Sequence, residues 1–182
     1  MSLDAEAHHR FLSDFFSIAT ADNAICGQFL KAGDNIPFWR RMLYRSVFSS
    51  LESYVSILKQ EALLISENSK PCFTEEEVLL LRDVECAVGD DGTPQSRKAK
   101  IRFLPNLKFA LRSYARSYGR TVILEKDAGW DALTRSVKVR DRITHPKAKA
   151  DLEITEREID DLQSAWMWFV RHLGKALDVK QG

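Results

Sequence analysis

The sequence predicts an all-α fold, an antiparallel bundle of five or six helices. Apolar residues recur at helical spacing in nearly every long segment, and Thr-x-x-Glu capping sets, glycines and prolines mark where segments begin and end. Only Thr121-Val122-Ile123-Leu124 has strand character, and one short run cannot make a sheet.

The elements follow in order. Leu12, Phe15, Phe16 and Ala19 define a first helix that continues to about Leu30, where Gly33-Asp34-Asn35 ends it. Pro37 suits the first turn of a long second helix from Phe38 to about Ser66, with Leu43, Val47, Leu51, Tyr54, Val55 and Leu58 on one stripe. Thr74 with Glu77 three residues on opens a shorter third helix through Val78, Leu79 and Leu81, and Gly89 to Pro94 reads as loop. A fourth helix runs from near Pro105 to Gly119 through Leu107, Leu111 and Tyr114. The fifth begins after Asp127, carries Trp130, Leu133 and Val137, and stops at His145, because Pro146 disfavours helical geometry in the residue before it. Thr155 and Glu158 cap the last, which runs through Ile159, Leu162, Trp166, Phe169, Val170 and Leu173. Short connections between amphipathic helices make the antiparallel bundle the natural arrangement.

At 182 residues, 45% hydrophobic and 29% charged, the chain is long enough to bury a core as one domain spanning 1–182. A net charge of +1 points to no partner by itself. No apolar run approaches the ~18 residues a membrane helix needs, and the N-terminal Met1-Ser2-Leu3-Asp4-Ala5-Glu6 lacks the layout of a signal peptide, so a cytoplasmic location with no membrane association is expected. Cys26, Cys72 and Cys86 form no CxxC pair and have no histidine at ligand spacing; small half-buried thiols are expected, with no disulfide framework, metal site or cofactor.

Charge is unevenly placed. Arg97 to Arg120 holds eight basic residues and no acid, interleaved with Phe103, Phe109, Tyr114 and Tyr118; Arg135 to Lys149 adds six basic residues against Asp141 alone, and Asp151 to Asp161 carries six acids and one base. Cations with aromatics among them suit single-stranded nucleic acid, since cations neutralise phosphates and rings stack on bases. Lys108, Arg112 and Arg116, at steps of four, are candidates for RNA binding, although such spacing also describes any solvated helix face.

The densest chemistry lies in Arg140-Asp141-Arg142-Ile143-Thr144-His145-Pro146-Lys147. Arginine offers a planar fork to phosphate oxygens, and histidine exchanges protons near neutral pH. On an unbroken helix, positions five apart diverge by about 140°. Pro146 lets His145 leave the helix and turn back towards Arg140. Asp141, four residues before His145, is placed to orient or charge the imidazole. Glu52, in the otherwise apolar run Val47 to Leu58, is a candidate to face the motif and pair with Arg140 or tune His145. Lys138, Arg142 and Lys147 are candidates for holding an RNA backbone.

The arrangement of Arg140, a following polar residue, His145 four intervening residues on, Pro146 and a long aromatic-rich final helix resembles the HEPN superfamily over about Trp130 to Phe169, and elsewhere only in architecture. The resemblance implies a HEPN-like helical fold, metal-independent endoribonuclease activity without a cofactor, and a homodimer that brings two motifs into one cleft. It also implies a toxin or antiphage role, for which a neutralising protein partner is expected. Some members carry a tyrosine two places after the histidine, through which they are silenced; Lys147 stands there in this chain.

The chemistry is arguable from the residues alone. His145 would take the proton of a ribose 2′-hydroxyl or give one to the leaving 5′-oxygen while Arg140 stabilises the phosphorane, leaving a 2′,3′-cyclic phosphate. One histidine serves poorly as both acid and base in one step, which makes a paired site attractive. The alternative is a non-catalytic helical module binding RNA or protein through the same surface, with Arg140 and Asp141 salt-bridging the helix end and His145-Pro146 terminating it. His8 and His9 adjoin Arg10 without a partner set, and His172 follows Arg171 in the last helix; all three are expected to have surface or packing roles.

Overall fold

A computed structural model describes residues 3–33, 35–68 and 71–177, with side chains from Arg10 onward. Asp34 of the expected helix stop and the side chains of His8 and His9 lie outside these. Among the described residues the chain is mostly helical: α1 (Leu3–Ala32), α2 (Ile36–Asn68), α3 (Glu75–Leu81), α4 (Phe103–Ser117), α5 (Ala128–Thr144) and α6 (Glu156–Leu177), with a small antiparallel hairpin of β1 (Val84–Val88) and β2 (Pro94–Lys98). No helix among the described residues is long and apolar enough to cross a membrane.

The boundaries have local causes. α1 ends at Gly33, whose φ of +85° is the left-handed conformation that closes a helix without a Cβ penalty. At α3, Glu77 N–H donates to Thr74 Oγ1 while Thr74 N–H donates to Glu77 Oε2, the expected capping box. The same reciprocal pair joins Thr155 and Glu158 at α6.

Gly89 to Thr93 is loop as the sequence predicts, with Pro94 starting β2, and the hairpin this loop closes corrects the reading of Thr121 to Leu124 as the only strand-like run. β1 pairs with β2 from Val84 opposite Lys98 to Val88 opposite Pro94, whereas residues 121–124 pair with no strand among the described residues. Asp91-Gly92 makes the turn: Gly92 has φ +78°, and Asp91 Oδ1 accepts from the Thr93 N–H at 3.0 Å and its hydroxyl at 2.7 Å. Every side chain of β2 is exposed, so no apolar face announces the strand.

The chain divides into two compact units, each assembled from separated segments. The first comprises the described residues up to Ser53 with Glu125–Arg171. Here α1 and the start of α2 form an antiparallel pair, with Phe29 stacked on Trp39 at 4.3 Å near their connection. α5 and α6 also run antiparallel: Trp130 meets Trp168 at 5.1 Å at one end, Arg135 forks onto Asp161 in the middle, and Arg142 reaches Glu158 at the other. A Cβ on Gly129 would fall 2.9 Å from Trp168 Cβ, so the first turn of α5 needs glycine to pack this closely. Leu43, Val47, Phe48, Leu51, Leu133, Val139, Ile143, Leu162 and Phe169 are buried in this unit. On α1, Phe11, Ile18, Ile25 and Phe29 remain exposed, at steps of seven, seven and four that place them along one side.

The second unit comprises Tyr54–Leu124 with the segment from His172. Tyr54, Leu58, Leu107, Leu111, Tyr114 and Leu173 are buried in it. Lys59, 1% exposed, donates to Asp83 Oδ1 at 2.5 Å and Asn106 Oδ1 at 3.1 Å. Tyr118 donates to Glu61 Oε1 at 2.9 Å; burial, followed by the bond and charge of Glu61, pushes its phenol up to about 12. His172 is fully buried, in keeping with a packing role.

Candidate functional site

α5 delivers the motif because both of its ends are chemically defined. Asp127 accepts from the N–H groups of Gly129 and Trp130, starting the helix. At the other end His145 takes φ −126°, ψ 61°, leaving helical geometry at the residue before Pro146, while its N–H still donates to Asp141 O at 3.0 Å. Thr144 Oγ1 closes the last turn by donating to Arg140 O at 2.7 Å.

Arg140 lies between two carboxylates. Its Nη2 donates to Glu52 Oε1 at 2.6 Å and its Nη1 to Asp141 Oδ1 at 2.8 Å. The guanidinium also lies 5.4 Å above the Phe48 ring. Glu52 thus faces the motif from α2. Phe48, one turn before Glu52, was not singled out in the sequence, although a step of four to a glutamate expected to face the motif places it on the same side of α2. The Arg140 side chain is 24% exposed, against 52% for Glu52 and 57% for Asp141, so the guanidinium is partly sheltered and its carboxylates face water.

Asp141 differs from expectation. Its carboxylate holds Arg140, and its link to His145 is through main chain. The physical reason is the helix end: once His145 adopts non-helical angles, the geometry that brings side chains four apart together no longer applies. The imidazole is exposed and makes no hydrogen bond among the described residues.

Arg142 points into the fold instead of towards a ligand. Its Nε donates to Asp151 O at 3.1 Å, Nη2 to Glu153 O at 2.6 Å and Nη1 to Glu158 Oε1 at 3.1 Å, clamping the segment after the motif onto the start of α6. Asp151, on the 3-10 turn Lys149–Leu152, accepts from the amides of Lys147 and Ala148, and these bonds hold its carboxyl below the usual range. Burial alone would raise the Glu158 carboxyl, but the Thr155 amide and Arg142 outweigh it and hold it low. Lys138 and Lys147 are exposed near the motif in sequence.

Lys108, Arg112 and Arg116 belong to the second unit. Arg112 is exposed; Arg116 pairs with Glu77 at 2.7 Å and lies 4.5 Å over Phe73, and Lys108 is half-buried. Among the described residues no group of three or more histidines, cysteines or acids is arranged to hold a metal ion. The chain matches no family model, no curated protein and no solved structure in the comparisons made. The candidate site therefore rests on its own geometry. A partly sheltered arginine between carboxylates from two helices, with an exposed histidine at the helix end, can bind an anion and exchange a proton.

Proposed function

We propose that this chain is a metal-independent endoribonuclease of HEPN type, acting as a homodimer and cleaving RNA through a 2′,3′-cyclic phosphate. The observation that carries the reading is the pairing of Glu52, from a different helix, with Arg140 at 2.6 Å beside a helix that terminates at an exposed His145. In this reading Glu52, Asp141 and Phe48 hold the guanidinium before substrate arrives, and a phosphate displaces one carboxylate as it docks. His145 moves the proton at the 2′-hydroxyl or at the leaving oxygen, and Arg140 meets the charge that develops on phosphorus. No metal is needed to generate the nucleophile, because the substrate's own hydroxyl attacks. Lys138 and Lys147 would flank the RNA backbone. The exposed Phe11, Ile18, Ile25 and Phe29 support self-association, since large apolar side chains exposed along one side of a helix are surface that a partner can bury. A role in defence or growth arrest, restrained by a neutralising protein partner, is the biological setting this reading implies.

One observation favours a second reading, a non-catalytic module that binds RNA or protein. Arg140 is already matched by two carboxylates, as a structural helix-end salt bridge would be. Incubating the purified protein and its His145→Ala variant with total cellular RNA in EDTA separates the two. The nuclease reading expects cleavage by the parent, cyclic-phosphate ends, and loss of at least about a hundredfold in rate in the variant. Intact RNA with a folded, dimeric parent refutes it.

A further inference from the structure

The run Thr121 to Leu124 has strand composition but no strand partner among the described residues. It follows Gly119, which turns the chain at φ +70° after α4, and it contains no helix, turn or bend. Burial alternates along it: Thr121 is exposed, Val122 is 7% exposed, Ile123 is 75% exposed and Leu124 is half-buried, the period of two of an extended chain. Among the described residues its N–H and C=O groups make no hydrogen bond. It is an open main-chain edge, pinned by Val122.

That edge forms one wall of a cavity of about 400 Å³ whose other wall is the last two turns of α4, with Arg112 and Arg116 along it and Arg120 just beyond the helix end. No carboxylate is among the lining residues. Arg112 is exposed and pairs with no acid among the described residues; Arg116 engages Glu77 through Nη2, and Arg120 lies 5.4 Å over the Tyr118 ring. Arg112 and Arg116 are one step of four apart, a rise of about 6 Å. Alternate side chains of an extended peptide repeat at about 6.6 Å, so successive acids on one face of such a peptide match this step.

We propose that the groove between α4 and residues 121–124 binds an extended acidic peptide segment of a protein partner, which adds as a strand to the open edge and sets alternate carboxylates on Arg112 and Arg116. Both halves of the recognition are present: main-chain groups without partners and cations at strand repeat. Single-stranded RNA is disfavoured here because no aromatic ring lines the cavity for a base to stack on. The proposal is independent of the ribonuclease reading and holds whether or not Arg140 and His145 are catalytic.

The test is fluorescence anisotropy of the full chain with a labelled peptide alternating valine and glutamate over six residues, at low salt. Binding is expected, weakened tenfold or more by Arg112→Ala and by 0.5 M salt. Methylating the amides of alternate residues, in each of the two registers, should abolish binding in one register only. Ile123→Pro, which removes an amide from the edge, should weaken binding while circular dichroism stays unchanged. Equal binding of both methylated peptides, indifference to Arg112→Ala, absence of binding, or preference for a ten-nucleotide oligouridylate over the peptide would each overturn the proposal.

Discussion

Replacing Asp83 with asparagine probes a fully buried charge, Lys59. Lys59 is 1% exposed, and its ammonium has two side-chain partners, Asp83 at 2.5 Å and Asn106 at 3.1 Å. Asp83→Asn preserves shape and an accepting oxygen, and asparagine tolerates the φ of +54° found there, so the change removes charge with little backbone strain. Breaking a buried pair typically costs about 3–5 kcal/mol, because the remaining charge is stranded. The Asp83 side chain is 35% exposed, so water reaches one side of the pair, and the asparagine oxygen still accepts; these place the loss at about 2–3 kcal/mol. For a chain of this length that corresponds to a fall in Tm of about 4–12 °C. Lys59→Met should cost less, about 1 kcal/mol, since an apolar side chain of similar length fills the site and Asp83 can hydrate. The double variant should recover most of the Asp83→Asn loss. Urea and thermal unfolding at pH 7, followed by circular dichroism, measure all three. A loss under about 0.5 kcal/mol for Asp83→Asn, or a double variant no better than Asp83→Asn alone, refutes the reasoning.

Two further outcomes follow from the clamp beyond the motif. Arg142→Ala removes three hydrogen-bonded groups at once and should cost about 2–3 kcal/mol, with faster amide exchange across residues 146–155; exchange confined to the last turn of α5 would contradict the clamp. The carboxyls of Asp151, Glu158 and Asp161 are each held below their ordinary range, Asp151 by backbone amides, Glu158 by the Thr155 amide and Arg142 against its burial, Asp161 by Arg135. Depressed folded values contribute stability that is complete above the unfolded pKa, about 4, and is lost as pH falls through the folded values. Tm should therefore be flat in respect of these groups from pH 7 to about 5 and decline below about 4, with a shallower decline in Asp151→Asn; a parent curve unchanged down to pH 3 would contradict the assignment.

Much of the architecture was legible because its signals are local. The capping boxes at Thr74 and Thr155, the stop at Gly33 and the break before Pro146 each depend on residues within a few positions, and the structure has them where the sequence places them. The hairpin was not legible from periodicity. Pro94 to Lys98 is polar and exposed throughout, and its pairing with Val84 to Val88 runs through main-chain groups that every sequence possesses. Asp91-Gly92 was the local signal available for it.

At the candidate site the same division holds. The residues Arg140, Asp141 and His145, the end of α5 and the availability of Glu52 could be read along the chain, since composition and helix-stop chemistry are properties of neighbours in sequence. Tertiary structure alone decided that Glu52 and Phe48 meet Arg140, that the Asp141 carboxylate serves the arginine and not the imidazole, and that Arg142 turns inward to Asp151, Glu153 and Glu158. A guanidinium takes whichever carboxylates packing brings within about 3 Å, and which helix supplies them is set by burial of apolar faces far from the charges themselves.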